Sequence, residues 1–424
     1  MNNDLAIHGG KKAVTISPTE RWQPPYEEIK AAINERIDRN AFSGDWNNTY
    51  FKFEDKFGDY MGAKYCSAYN EGSTALWAAY LGIGVKPGDE IIVPSYTWIA
   101  SIASAVYIGA KPVFCELERG KLVADPVDIR KRITSKTKAI VVVHLFGNLV
   151  NMDEIMAIAN EHNLYVIEDC SHCHGAEWKG KKAGTIGHVG CFSMQGDFIT
   201  GKAVPAGEGG MLISNDREIF NKIIFYTHIN RPEKPGEETD EKYSKYYPAN
   251  MGVKFRAHPF ALAIAGVAMK SLDSNNDAKR SYRQKINNGL KDIPGIITLT
   301  EYEGSVAGGF YGGMQVIYDP AAFSELPKDK FEKALQAEGV DTSYRDYEPL
   351  HTTPLYAEGY DMYGNGMFGI AGDYQGYKTG DLPVTEETCR NIIGMPIFID
   401  EVPGYSDQVI AAFKKVAEHY RDLL

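Results

Sequence analysis

The chain has 424 residues, 44% hydrophobic and 24% charged, a composition typical of a soluble globular protein with two or three domains. The net charge of −11 argues against nucleic acid or an anionic membrane surface as a main partner. No run reaches the roughly 18 apolar residues of a membrane span, and the first residues lack the apolar segment of a signal peptide. We therefore expect a cytoplasmic protein whose six cysteines are reduced.

Apolar runs alternate with helical patterns in the first two-thirds of the chain. Strands are predicted at 89–96, 111–117, 138–147, 164–170, 191–195 and 209–214, and helices at 101–110 and 152–163. This alternation predicts an α/β domain in which helices cover a mainly parallel sheet. Ligands of such sheets bind at the carboxyl ends of the strands, where Tyr96, Trp98, His144 and Asp169 fall.

The pattern changes toward the C-terminus. Helices are predicted at 282–293, 328–340 and 406–424, with a strand at 312–320. We therefore predict a large domain at 1–275 and a small α+β domain at 276–424. Within the latter, the Gly- and Tyr-rich stretch 345–381 has the length and composition of a binding or lid segment.

The string from Cys170 to His174, Cys-Ser-His-Cys-His, matches the attachment motif of a c-type haem and also suggests a zinc cluster. Covalent haem is attached outside the cytoplasm, and zinc needs four ligands that usually come from a second Cys/His cluster. The chain contains no other Cys-x-x-Cys. Both interpretations are therefore disfavoured, and we expect buried thiols beside a strand end.

Two features suggest an anionic ligand with a reactive carbonyl. Gly72-Ser73-Thr74 opens a predicted helix, whose free N–H groups would bind a phosphate, although helix capping by Ser73 or Thr74 explains the same residues. Lys202 lies between glycines and apolar residues, where an amine nucleophile is plausible and a surface lysine is the commoner case.

Two more features suggest a flat aromatic ring. Asp169 ends a buried strand and needs a cationic partner such as a protonated pyridine nitrogen, unless it caps the next turn of the chain. Trp98 follows a strand end and would stack on a ring, unless it packs in the core. Phosphate, ring, ring nitrogen and aldehyde together describe pyridoxal 5′-phosphate (PLP).

The stretches EGST, PSYTW, EDCSH and GKAVPAGEGG, in this order, resemble the motifs of the DegT/DnrJ/EryC1/StrS sugar aminotransferases over roughly residues 5–420. LAIHGG and GVKFRAHP resemble the branch that includes scyllo-inosose aminotransferases and 3-amino-5-hydroxybenzoate synthase. The resemblance implies a fold-type I PLP enzyme that acts as a homodimer with shared active sites.

The resemblance also implies roles for individual residues. Lys202, followed by Gly207-Glu-Gly-Gly210, would form the Schiff base, Asp169 after Glu168 would hold the pyridine nitrogen, and Trp98 would stack on the ring. His172 replaces the family's glutamine facing the ring hydroxyl. The phosphate ligands would be Gly72, Ser73, Thr74, Ser193 and, from a neighbouring subunit, Lys254 in place of the family's asparagine.

One departure from the family pattern lies between Ser193 and Lys202, where members usually have about four fewer residues. The extra residues, within 196–201, either bulge outward or reshape the pocket, and we expect an outward bulge because the glycines downstream of Lys202 are intact. Some family members lack the lysine and act as dehydratases, so its retention here favours transamination.

These features predict transfer of an amino group from glutamate or glutamine to a keto-sugar or keto-cyclitol. Tyr344, Arg345, Tyr347 and His351 are candidate substrate contacts by position and chemistry. The alternatives are a PLP-dependent sugar dehydratase and an inactive protein that binds PLP or a sugar.

Overall fold

The computed structural model describes residues 4–344, 347–361, 369–370 and 374–424. The strands are β1 (Tyr65–Tyr69), β2 (Glu90–Pro94), β3 (Lys111–Cys115), β4 (Thr137–Val143), β5 (Tyr165–Asp169), β6 (Glu177–Trp178), β7 (Lys181–Lys182), β8 (Val189–Ser193), β9 (Gly210–Ser214), β10 (Ile296–Thr298), β11 (Ser305–Val306), β12 (Met314–Tyr318), β13 (Tyr360–Asp361), β14 (Gly369–Ile370) and β15 (Ile392–Met395).

The α-helices are α1 (Tyr26–Asp38), α2 (Phe51–Met61), α3 (Gly72–Gly82), α4 (Ala100–Ile108), α5 (Pro126–Arg132), α6 (Met152–His162), α7 (Arg217–Thr227), α8 (Glu241–Ser244), α9 (Pro259–Ala268), α10 (Leu272–Leu290), α11 (Lys328–Ala337), α12 (Pro354–Glu358), α13 (Pro383–Arg390) and α14 (Tyr405–Glu418). None of these described helices combines the length and apolarity needed to cross a bilayer.

The central sheet has seven strands in the order β1-β9-β8-β5-β4-β2-β3. Strands β8, β5, β4, β2 and β3 pair in parallel, whereas β9 pairs antiparallel with both of its neighbours. The sheet is therefore mixed and mainly parallel, as the sequence predicts.

Both faces of this sheet are buried. Along β4, Ile140 and Val142 belong to one core cluster, while Val141 and Val143 belong to the other. Side chains alternate between the faces of a strand, and helices cover both faces of parallel sheets, so a continuous apolar run is expected here.

A third core cluster surrounds an antiparallel sheet of order β10-β12-β15. Helices α10, α11 and α14 supply much of it, and this part of the chain forms the predicted α+β unit. Leu5 and Val14, which the sequence pattern groups with the large domain, are buried in this third cluster. The predicted boundary at 275/276 falls inside α10, so the domain limits remain a prediction.

The two parts of the chain meet closely at Gly309, which follows β11. A Cβ at Gly309 would lie 2.5 Å from the carbonyl oxygen of His172 and 2.7 Å from the backbone nitrogen of His174. Its φ of +77° also lies in the left-handed region. Only glycine therefore lets this segment pack on the loop that follows β5.

We predict that Gly309→Ala lowers the free energy of unfolding by about 3 kcal/mol or more, because strain and overpacking add. Gly180→Ala is the matched control, since Gly180 has a φ of +79° and a Cβ there would have no atom within 4 Å. The free energy of unfolding of the control should fall only by the cost of a left-handed alanine, about 1 kcal/mol. Equal losses in urea titrations of the two variants would contradict this packing argument.

Candidate active site

A cavity of about 480 Å³ lies at the carboxyl edge of the parallel strands. The last residues of β4 and β5, Val143 and Asp169, both line it. The predicted site residues that line this cavity are Gly72, Ser73, Trp98, Asp169, His172, Ser193, Lys202 and Tyr347. The prediction that the strand ends carry the site agrees with this placement.

The N-terminus of α3 opens into the cavity. Its N-cap is Glu71, whose side chain makes no capping hydrogen bond, so capping by Ser73 or Thr74 is not what the structure shows. A Cβ at Gly72 would lie 2.6 Å from the Cβ of Ser193, so glycine lets the end of β8 approach the helix. The first N–H groups of the helix and the Ser193 hydroxyl thus form a site suited to a phosphate.

Asp169 is held in a fixed orientation at the end of β5, with 4% of its surface exposed. The Ser101 hydroxyl donates to Asp169 Oδ2 (2.8 Å), and the Ser171 N–H donates to Oδ1 (3.1 Å). Thr97 Oγ1 lies 2.9 Å from the Ser101 oxygen and extends the chain of hydrogen bonds. Each carboxylate oxygen thus accepts a hydrogen bond, which fixes the orientation in which Asp169 would face a ring nitrogen.

Aromatic side chains surround the remaining walls. Trp98 lies on the cavity with 57% of its surface exposed, so it is not a core residue, and its ring centroid is 6.2 Å from that of Tyr347. His172 Nδ1 accepts from the Phe146 N–H (3.3 Å), which assigns the proton of the neutral imidazole to Nε2. His172 can therefore act as a donor, as the expected bond to a ring hydroxyl requires.

The inserted residues form a closed turn ahead of Lys202. The Asp197 carboxylate accepts from the N–H groups of Ile199 and Thr200, both at 2.7 Å, and Gly201 N–H donates to the Asp197 carbonyl. Lys202 N–H then donates to the Gln195 carbonyl (2.9 Å), so the chain returns to its starting point. This arrangement agrees with the outward bulge expected from the sequence.

Lys202 is buried at the cavity wall, with 8% of its surface exposed. Its Nζ lies 3.3 Å from the centre of the Tyr311 ring. Tyr311 and Ser101 are site residues that the sequence analysis missed. Ser101 could have been predicted, because it lies four residues after Thr97, at the start of α4 and close to the predicted strand end. Tyr311 comes from a distant segment, and nothing in the sequence connects it with the site.

The Cys-Ser-His-Cys-His string, for which the sequence disfavours haem and zinc, follows a carboxylate that is fully hydrogen-bonded. Glu168 accepts hydrogen bonds from His144 Nε2 (3.1 Å) and from the N–H groups of Gly184, Ile186 and Gly187. His144 Nδ1 accepts from the Val150 N–H (3.2 Å), so hydrogen bonds use both ring nitrogens of His144 and both oxygens of Glu168. The grouping of His144, Glu168 and Cys170 is therefore accounted for without a metal ion.

Cys170 and Cys173 follow Glu168 in the chain. The Cys173 N–H donates to the Cys170 carbonyl (3.0 Å) in a tight turn, and both side chains are buried. Burial raises the pKa of both thiols, and neither residue lines the cavity. These properties are those of structural cysteines rather than reactive ones.

Four predicted residues lie away from the cavity lining. Thr74 donates to Asn70 Oδ1 (2.7 Å), and Tyr344 packs beside Gly313. Lys254 is exposed and pairs by its backbone with His228. His351 is fully buried, where its Nδ1 bonds to Ser95 Oγ (2.7 Å) and its Nε2 to Glu386 Oε1 (3.1 Å). The fifth, Arg345, falls outside the described residues.

Comparisons with known proteins give the family. Residues 24–414 match the DegT/DnrJ/EryC1/StrS aminotransferase family. The chain belongs to this family. It is 31% identical to a putative L-glutamine:3-amino-2,3-dideoxy-scyllo-inosose aminotransferase of Micromonospora echinospora, over 84% of this chain and 83% of that one. It is also 29% identical to the L-glutamine:2-deoxy-scyllo-inosose aminotransferase of Streptomyces fradiae, over the full length of both.

Solved structures of the family share the fold. The S. venezuelae DesV structure, described as a complex with a ketimine intermediate, superposes with a TM-score of 0.75 at 26% identity. The match covers 95% of this chain and 99% of DesV. The predictions of a fold-type I architecture and of a PLP-dependent aminotransferase are therefore confirmed.

His174 is a buried imidazole whose pKa is affected by its burial and by Lys202. It is 1% exposed, and neither ring nitrogen has a hydrogen-bond partner within the described ranges. Burial, and then the charge of Lys202, lower the pKa of His174 to about 3. In the unfolded chain the His174 imidazole takes up a proton below about pH 6.5, whereas in the folded chain it stays neutral until about pH 3. Stability should therefore fall as the pH drops through this window.

We predict that His174→Leu reduces the loss of stability between pH 7 and pH 5 by about 2 kcal/mol, at about 1.4 kcal/mol per pH unit below 6.5. The measurement is the free energy of unfolding of the cofactor-free protein in urea at the two pH values. His162→Leu, at the end of α6, is the control and should retain the full pH dependence. A His174→Leu variant with the pH dependence of the wild type would contradict the burial of a neutral imidazole.

Proposed function

We propose that this chain binds PLP in the cavity and transfers an amino group from L-glutamine or L-glutamate to a keto-cyclitol or keto-sugar. The observation that carries the proposal is the convergence of Lys202, Asp169 and the N-terminus of α3 on one cavity. Amine, carboxylate and anion site are the three groups that the aldehyde, ring nitrogen and phosphate of this cofactor need.

The residues present fit the cofactor on several counts. The uncapped N–H groups of α3 and the Ser193 hydroxyl receive the phosphate, and the close approach at Gly72 keeps the space between them clear of a side chain. Trp98 offers an exposed ring face at the cavity. Because Nδ1 of His172 accepts a hydrogen bond, its Nε2–H is a donor, as a bond to the ring hydroxyl would require. Asp169, fixed by Ser101, holds the proton on the ring nitrogen.

When bound, PLP supplies an electron sink that makes the proton on the donor's α-carbon removable. Lys202 would hold the cofactor through Nζ, and its freed Nζ would move the proton between the donor's α-carbon and C4′ of the cofactor. Asp169 would hold the proton on the ring nitrogen, and the burial of Lys202 and Asp169 would limit access of water to the reacting atoms.

The named relatives support the choice of donor and acceptor. Both use L-glutamine and an inosose by name, and similarity across the whole chain makes a cyclitol ketone the first acceptor to test. Tyr347 lines the cavity and is the predicted substrate contact that the structure supports best. His351, by its bonds to Ser95 and Glu386, orders the loop that carries Tyr347 and acts through it.

A homodimer is part of the proposal. Lys254 is exposed, and the neighbouring Phe255 carbonyl accepts from the Asn70 N–H, just ahead of the phosphate-binding end of α3. Lys254 does not line the cavity of its own chain. We propose that it reaches the phosphate of a second copy of the chain.

The test separates the two half-reactions. PLP-loaded protein is mixed with L-glutamine, L-glutamate or D-glutamine, and conversion of the cofactor to its aminated form is followed by absorbance. The aminated protein is then given a 2-deoxy-scyllo-inosose or a nucleotide-linked 4-keto-sugar. Amination by an L-donor and discharge by the inosose support the proposal. Loss of water from a keto-sugar without amine transfer would instead establish a dehydratase, and binding without either reaction an inactive binding protein.

We predict that Asp169→Asn slows amination of the cofactor about 100-fold, since one preorganised charge at the reacting system is lost. An amide cannot hold the proton on the ring nitrogen, and PLP affinity should fall as well. Asp407→Asn, on the surface of α14, is the control and should match the wild type. An Asp169→Asn variant with wild-type amination kinetics would remove Asp169 from the ring-nitrogen role.

A further inference from the structure

The segment Ala307–Tyr311 and the two glycines after it join β11 to β12 through four residues with positive φ. Gly309, Gly312 and Gly313 have φ values of +77°, +87° and +82°, and Phe310, which has a side chain, has a φ of +50°. A non-glycine residue in this region is unfavourable and persists only where its surroundings fix it. Strained backbone of this kind occurs preferentially beside functional sites.

Contacts from both parts of the chain fix the segment. Gly309 N–H donates to Asn276 Oδ1 (2.8 Å), and the Arg280 guanidinium donates to the Ala307 carbonyl through Nη2 (2.9 Å) and Nε (3.1 Å). A Cβ at Gly312 would lie 2.8 Å from the Phe146 ring, and Phe310 is itself buried. Helix α10 therefore anchors the segment on one side, and the residues that follow β4 close against the other.

The result of this anchoring is the position of Tyr311. Its ring lies against Lys202 Nζ, 3.3 Å from the ring centre, and meets the His172 ring edge-on at 4.7 Å. Its hydroxyl donates to Gln195 Oε1 at 3.4 Å. The amine thus lies over the face of the ring, where its N–H groups are attracted to the π electrons. Because the hydroxyl bonds to Gln195, the ring face is what Tyr311 presents to the amine.

We propose that Tyr311 is a positioning residue for Lys202, and that its ring holds the lysine amine at the cavity wall ready to react with the carbonyl of PLP. This inference rests on the proposed function of Lys202. The lysine side chain has four rotatable bonds, and confining its end before the reaction removes an entropy loss from the barrier. The unfavourable backbone conformation of Phe310 is then part of what places the Tyr311 ring over the amine.

The step concerned is the covalent attachment of the cofactor. The neutral amine of Lys202 adds to the aldehyde carbon, the carbonyl oxygen leaves as one molecule of water, and a C=N bond replaces the C=O bond. A ring that confines Nζ accelerates this step. It does not alter binding of pyridoxamine phosphate, which has an amine in place of the aldehyde and cannot bond to the lysine.

The experiment compares Tyr311→Phe and Tyr311→Leu with the wild type. Cofactor-free protein is mixed with saturating PLP, and covalent attachment is followed by stopped-flow absorbance. Affinity for pyridoxamine phosphate is measured separately by fluorescence titration. Tyr311→Leu should attach PLP at least about tenfold more slowly, with affinity for pyridoxamine phosphate unchanged within about twofold. Tyr311→Phe retains the ring and should stay within about threefold of the wild-type rate.

Three results would overturn the inference. They are a wild-type rate in Tyr311→Leu, an equal loss of pyridoxamine phosphate affinity, and a Tyr311→Phe variant as slow as Tyr311→Leu. Tyr311→Met, which fills the site with a flexible apolar chain, replaces the leucine variant if that protein does not fold. If the wild type itself forms no covalent bond at Lys202, the proposed function fails instead, so the two failures are distinguishable.

Discussion

A buried carboxylate at the end of β5 is the constraint on which the candidate site depends. Asp169 is almost fully buried, and the Ser101 hydroxyl and the Ser171 N–H that donate to it are neutral groups. A buried charge is unfavourable unless it is well hydrogen-bonded or paired with an opposite charge. In the function that we propose, the protonated ring nitrogen of PLP would supply such a charge, and the cavity beside Asp169 would hold the ring. The other residues of the same chain that we propose to bind the cofactor line this cavity.

Three connections bring the other groups of the site to the cavity beside Asp169. The close approach of β8 to α3 at Gly72 places the anion site at one end of the cavity, and the turn at 196–201 returns Lys202 to the same wall. The glycine segment before β12 then places Tyr311 over the amine. Each connection depends on positions where a side chain would collide, so the site is built by close backbone packing as much as by its polar groups.

Much of this arrangement is predictable from the sequence. The strand ending in Asp169 is predicted at 164–170 and observed at Tyr165–Asp169, because a continuous apolar run followed by a carboxylate is typical of a buried parallel strand. The order of the motifs indicates the family, and it identifies Lys202 as the candidate Schiff-base lysine. Helix α10 begins at Leu272, ten residues before the predicted start at 282, because its first turns are polar and lack an apolar period.

The parts that could not be predicted depend on contacts distant in the chain. Tyr311 lies 109 residues after Lys202 in the sequence, and its aromatic side chain alone suggests ordinary core packing. The polar ring of His351 suggests a substrate contact, but its partners, Ser95 and Glu386, come from two other segments and bury it. The local sequence pattern does not indicate which side chains from distant segments come into contact.

Borohydride reduction of the PLP-treated protein, followed by peptide mass mapping, tests the central claim most directly. A phosphopyridoxyl group on Lys202, and on no other lysine at comparable yield, is the result that this account predicts. It would establish the cofactor, the register of the insertion and the role of the lysine together. A modification that centres on another lysine, or no modification at saturating PLP, would contradict the account.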